Sequence, residues 1–167
     1  MAKQVKQLSP PKGLARLFYR LPIWLYRVGL GGVLGERFLL LNHTGRKSGL
    51  ARQAMLEVVQ HDLQTDTYVV AVGFGQKSDW YQNLLAQPEA SIQVGRRTLD
   101  VTARQLDPQS AGEVMLEFSR KYPGEAKMAG LLGFEVDGTD EDYRAMGEMM
   151  TLVALRPVKT EQHASFE

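Results

Sequence analysis

Cysteine is absent from the 167 residues, which excludes disulfides and thiolate metal sites and fits a reducing compartment. Histidine is nearly as scarce: His43, His61 and His163 stand apart, with none of the paired spacing that a histidine metal site uses. No apolar run is long and clean enough for a transmembrane helix, because the stretch from Leu21 to Leu41 is broken by Arg27, Glu36, Arg37 and several glycines. The N-terminus also lacks the apolar core followed by small residues that marks a secretory signal. Acidic residues are missing from one region in particular. Residues 1–56 hold ten Lys or Arg against Glu36 alone, a charge of +9, whereas the other 111 hold ten basic and eighteen acidic residues, a charge of −8. The overall +1 conceals this division, and the N-terminal third is expected to face something anionic.

The densest basic stretch runs from Leu41 to Arg52, LNHTGRKSGLAR, where large apolar residues give way to Arg46, Lys47 and Arg52 interleaved with Gly45, Gly49, Thr44 and Ser48. Glycines let a backbone bend through positive φ and approach a ligand, successive N–H groups in such a bend cradle an anion, and guanidinium forks match phosphate or carboxylate oxygens. The same residues are also good chemistry for a plain solvated hairpin turn. His43 sits beside this loop, either as an ordinary strand-end residue or as a ligand contact.

With 44% hydrophobic residues, seven prolines and no repeat, one compact domain over 14–158 is expected, flanked by flexible tails at 1–13 and 159–167. Leu14, Leu17, Phe18, Leu21, Leu25 and Val28 recur at helical steps, with a kink at Pro22 and a stop at Gly29. This helix either packs on the domain or, through residues 12–30, lies on an anionic membrane surface. Strands are expected over Arg37–Asn42, Gln53–Gln60, Thr67–Phe74, Ala90–Val94, Arg97–Leu106 and Thr151–Arg156, linked by hairpin turns such as Gly95-Arg96. A short helix follows a cap at Ser78-Asp79 and ends at Pro88, and a longer one opens at Asp107-Pro108 and stops at Pro123. From Gly124 to Met150 the glycines and methionines suggest a pliable cover or short helices over a pocket, and the acidic cluster Asp137–Asp142 reads as a solvated loop rather than a metal site. The fold class is therefore mainly β with α: a small antiparallel barrel of about six strands with an N-terminal helix and two or more inserted helices.

GRKSG followed by Arg52, the Gly73–Gly75 segment, SDWYQNLLAQP from Ser78 to Pro88, and IQVGRRT from Ile92 to Thr98, in that order, resemble the deazaflavin-dependent nitroreductase family. The match spans about Leu21 to Tyr122 and the last strand. The resemblance implies a split β-barrel of the flavin-reductase type binding coenzyme F-420, with FMN as the alternative cofactor. It implies that Arg46, Lys47 and Arg52 hold the phosphate and first carboxylates, that Ser48 adds a hydroxyl, and that Gly73, Phe74 and Gly75 lie beside the deazaflavin ring. Trp80 and Asn83 match motif positions near the cofactor wall; core packing and a local polar contact are their other readings. The better-known nitroreductase branch has a longer loop with an early lysine, where this chain has Gly73 and offers Lys77 later. Its substrate-side tyrosines are not reproduced in spacing, so nitroimidazole activation is not carried over.

The resemblance further implies an oxidoreductase in which the cofactor supplies the hydride and the protein supplies orientation and exclusion of water. The partner is a small-molecule acceptor such as a quinone, an activated alkene or a nitro compound. Tyr68, Tyr81, Tyr122 and Tyr143 are proton-donor candidates by chemistry alone. No metal and no nucleic acid are implied. A cytoplasmic location is the expected setting, with a peripheral position on the inner face of the cell membrane as the alternative. The other readings are an FMN-binding barrel and a non-catalytic cofactor or lipid carrier.

Overall fold

In the computed structural model, residues 1–7, 9, 23, 27, 28, 32, 35–126, 129, 130 and 133–159 are described. Six strands close into an antiparallel barrel: β2 (Phe38–Thr44), β3 (Ala51–Asp62), β4 (Thr67–Ala71), β5 (Glu89–Val94), β6 (Arg97–Gln105) and β8 (Leu152–Pro157). Around the barrel the order is β2-β3-β4-β8-β6-β5, with β5 returning to β2 through pairs such as Leu41 with Ile92. The expected barrel is thus present, and its strands are those anticipated with ends shifted by a few residues. The largest shift is in β4, which stops at Ala71 because Gly73 and Gly75 take the chain into turns. A register shift between Val58 and Gln60 bends β3 where it leaves β2 for β4.

Period-two alternation places the cores. Leu39, Leu41, Tyr68, Val70, Ile92, Val101, Val153 and Leu155 fill the barrel interior. The alternate residues Val69, Leu152 and Ala154 face outward and are covered by α2 (Pro108–Lys121) and α4 (Asp140–Met149) through Val114, Phe118, Tyr143 and Met146. Each fully buried aliphatic side chain is worth roughly 1.5–3 kcal/mol, so these two cores supply the stability and leave the exposed loops free to serve a ligand.

Helix α1 (Asp79–Ala86) packs across one end of the barrel, sending Tyr81 and Leu84 into the interior cluster. Asp107 caps α2 as expected, its side chain accepting from the Ser110 amide at 2.9 Å. Ser78 stands at the start of α1 but caps nothing: its hydroxyl donates backward to the Gly75 carbonyl at 2.8 Å. Pro123 ends α2 and also opens a single turn, α3 (Pro123–Ala126). The acidic cluster corrects the solvated-loop reading. Asp140, Glu141 and Asp142 form the first turn of α4, where the helix dipole favours them, and Asp142 is buried, accepting from the Asp137 amide.

Within the stretch expected to be flexible, β1 (Lys3–Gln4) pairs with β7 (Phe134–Glu135). The expected helix from Leu14 to Val28, and with it the membrane-facing segment 12–30, lies outside the described residues except for Ile23, Arg27 and Val28. The end of the C-terminal tail, 160–167, lies outside them too. Among the described residues no helix is long and apolar enough to cross a membrane.

Candidate functional site

The antiparallel order gathers the β2–β3 loop, the segment after β4, and α1 at one end of the barrel. In the loop Gly45 accepts from the Gly49 amide at 2.8 Å, and its own amide donates to the Leu50 carbonyl at 2.8 Å. Ser48 Oγ accepts from the Leu50 amide at 3.3 Å and packs against Gly45, where a Cβ would fall 2.6 Å from that oxygen. A side chain at 45 would therefore have to turn the Ser48 hydroxyl away. Lys47 and Arg52 project from this frame, and among the described residues neither side chain has a hydrogen-bonded or ion-paired partner.

Arg46 is held differently. Asn83 Oδ1 accepts from both its amide, at 3.0 Å, and its Nη1, at 2.8 Å. Asp79 Oδ1 receives two longer bonds from the same guanidinium at 3.3 Å. The other end of the Asn83 carboxamide faces His43 Nδ1 at 3.1 Å. His43 and Asn83 are both buried. Burial, aided by the nearby positive charge of Arg52, pushes the imidazole below its ordinary range. In the ladder His43 lies directly opposite Arg52.

Gly73, Phe74 and Gly75 form turns after β4 at the same end. Gly75 has φ +77°, and a Cβ there would fall 2.5 Å from the Gln7 side chain. Beside this segment lies a cleft of about 240 Å³ whose walls include Val72, Gly73, Gly75, Phe134, Met149 and Thr151. Lys77 follows in the same turn. Trp80, on α1, packs half-buried against the barrel core and meets Tyr81 edge to face at 6.2 Å. The predicted cofactor residues Arg46, Lys47, Ser48, Arg52, Gly73, Phe74, Gly75, Lys77, Trp80 and Asn83 thus all belong to one end of the barrel.

The tyrosines do not converge there. Tyr68 is fully buried with its hydroxyl at the opposite end, 3.5 Å from Arg97 Nη1 and stacked on His61 at 3.9 Å; burial raises its pKa. Tyr81 donates to Gln105 Oε1 at 2.6 Å, and burial raises it as well. Tyr122 lies under the Arg37 guanidinium, 4.1 Å from its centroid. Tyr143 belongs to the outer helical core and borders a separate cleft with Arg120 and Asp140. The residue that the sequence favoured as a mere strand end, and that the structure brings to the site, is His43. Its signal was the inward alternation Leu39, Leu41, His43, which carries a polar ring to the mouth of the barrel.

The model of a family described as F420H2-dependent quinone reductase matches residues 19–129. Two curated F420H2-dependent quinone reductases, from two strains of Mycobacterium tuberculosis, are each 33% identical over 93 residues, 50% of this chain and 60% of theirs. The chain therefore spans less than two thirds of the length of those relatives. Among solved structures, one titled as an F420-H2 dependent reductase superposes with a TM-score of 0.50 at 24% identity, covering 72% of this chain and 95% of that one. A protein of unknown function from Agrobacterium tumefaciens superposes at 0.52 with 15% identity, covering 83% of this chain and 55% of that one. At these identities the two likenesses carry the fold alone.

Proposed function

The chain belongs to the F420H2-dependent quinone reductase family, and from that premise we propose that it binds coenzyme F-420 at the cationic end of its barrel and uses the reduced form to reduce an apolar electrophile, a quinone first among them. The observation that carries the proposal is the pair of uncompensated cations, Lys47 and Arg52, flanking an Arg46 that is already held in place. A phosphate with carboxylates attached supplies the counter-charge that Lys47 and Arg52 lack among the described residues. The donor set fits such a ligand: two guanidinium forks, an ammonium and the Ser48 hydroxyl.

The reduced deazaflavin supplies a two-electron hydride. The chain's own residues bind, orient and exclude water. Lys47, Arg52 and Arg46 hold the anionic end. The turn at Gly73–Gly75 offers bare backbone to a flat ring at its two glycines, with Phe74 between them, and Trp80 adds to the apolar wall from α1. The Tyr68 hydroxyl lies at the far end of the barrel and that of Tyr81 donates to Gln105, so the proton that accompanies the hydride comes from solvent or a nearby hydroxyl.

The test is turnover. Purified protein is mixed with reduced F-420 and a simple naphthoquinone, and the return of the oxidised cofactor's absorbance is followed against a protein-free control. Saturable, protein-dependent oxidation is expected. Binding of the coenzyme without oxidation above background, across quinone, activated alkene and nitro acceptors, would contradict the enzymatic reading and leave a carrier.

A further inference from the structure

We propose that Asn83 is the positioning residue of this site: one buried carboxamide presets the main chain and guanidinium of Arg46 and fixes the proton of His43 on Nε2, so that the cationic loop is formed before any ligand arrives. The proposal rests on the binding role given to the loop above and deepens it.

Three hydrogen bonds from one side chain support it. Asn83 Oδ1 accepts from the Arg46 amide at 3.0 Å and from Arg46 Nη1 at 2.8 Å, while Nδ2 faces His43 Nδ1 at 3.1 Å. The carboxamide has only one workable orientation. Turned round, its NH2 group would meet an amide N–H and a guanidinium, donors against donors, and its oxygen would have to accept from the imidazole. With Oδ1 committed to Arg46, Nδ2 donates to His43, so Nδ1 must offer its lone pair. That leaves the ring neutral with its hydrogen on Nε2.

A neutral anchor has a consequence that a carboxylate would not. Asp79 also reaches Arg46, but at 3.3 Å, and its side chain is 79% exposed, so water and salt screen that contact. Asn83 is 4% exposed and adds no charge of its own. It orders the guanidinium without adding a negative charge, so the only carboxylate on Arg46 among the described residues is the exposed, screened Asp79, which an incoming anion can displace. Ordering a long side chain in advance removes an entropic cost from the binding step. The two partners lie 37 and 40 residues from Asn83 in the chain, so this single contact also ties α1 to the β2–β3 hairpin.

The test uses the full chain with Asn83→Ala, Asn83→Asp, Arg46→Ala and the Asn83→Ala/Arg46→Ala double variant. Imidazole 15N shifts and amide hydrogen exchange are read without ligand, and F-420 affinity is read by fluorescence titration. Wild type is expected to show His43 protonated on Nε2. Asn83→Asp, which keeps an acceptor for Arg46, is expected to move that proton to Nδ1 while the Arg46 amide stays protected. Asn83→Ala is expected to speed exchange at the Arg46 amide and to raise the F-420 Kd by roughly tenfold or more, the scale of a lost bond to a charged group. Because part of the effect of Asn83 runs through the Arg46 guanidinium and part through the residue-46 amide, which Arg46→Ala keeps, the double variant is expected to bind more weakly than Arg46→Ala alone but by less than the sum of the two single losses. Additive losses, an unchanged Arg46 exchange rate, or a wild-type His43 protonated on Nδ1 would overturn the proposal. If Asn83→Ala does not fold, the proton shift in Asn83→Asp decides. A wild-type chain that binds no F-420 would refute the proposed function, while the two ligand-free readouts would still decide for or against Asn83.

Discussion

Replacing Lys47 and Arg52 together by alanine isolates charge from architecture. Among the described residues neither side chain has a partner, and the loop is shaped by the bonds of Gly45, Gly49 and Leu50, which the double change leaves in place. Folding stability is therefore expected to move by less than about 0.5 kcal/mol, as for other exposed substitutions. Binding should respond quite differently. Two unit charges 4 Å apart attract by about 1 kcal/mol in bulk water and about 4 kcal/mol in a surface-like dielectric. Both side chains are exposed, so the lower part of that range applies, roughly tenfold in Kd per cation. The double variant should thus bind F-420 on the order of a hundredfold more weakly, with a shallower dependence on salt because fewer charges take part. Fluorescence titrations at low and high ionic strength, paired with chemical denaturation, read both quantities. A Kd and a salt dependence unchanged from wild type would refute the assignment of the anion to this loop.

Three further perturbations have defined outcomes. Gly75→Ala places a side chain at φ +77° and against Gln7; it should cost about 1–2 kcal/mol in denaturation, mostly backbone strain, since the Gln7 tip can move. His43 is held below its ordinary value by burial and by Arg52, so the unfolded chain takes up a proton that the folded chain refuses. Its contribution is complete above about pH 6.5 and is lost as pH falls from there toward the folded value; His43→Gln should abolish that part of the slope in stability against pH. Ile92→Ala opens a hole in the barrel interior, where Ile92 is fully buried, and should cost about 2–5 kcal/mol, with an F-420 Kd unchanged in whatever fraction remains folded.

The barrel was legible because its strands obey a local rule. Leu99, Val101 and Ala103 alternate with Asp100, Thr102 and Arg104, and the structure points the first set inward and exposes the second. Turn chemistry marked Gly95-Arg96 equally well, and Asp107-Pro108 announced α2 through its cap. Helix α4 was legible only in part: short helices were expected between Gly124 and Met150, but its first turn, Asp140–Asp142, read as a solvated loop. Asp142, Tyr143, Met146 and Gly147 do recur at helical steps behind a Thr139 cap, but with an acid and a glycine among only four such positions the stripe reads as apolar only once it docks on α2 and the barrel. At the site, the cationic residues showed in the sequence because charge and glycine cluster locally. The bridge from Asn83 to His43 and Arg46 did not, because each partner is a single polar residue on a different element, and only closure of the barrel end by α1 brings them together.

The most direct test of F-420 binding at this barrel is a fluorescence titration of the purified chain with the coenzyme, with FMN as competitor, at two salt concentrations. Saturable binding that weakens with salt and is displaced little by FMN is the predicted result. Tighter binding of FMN, or no saturable binding of the deazaflavin at low salt, would contradict it.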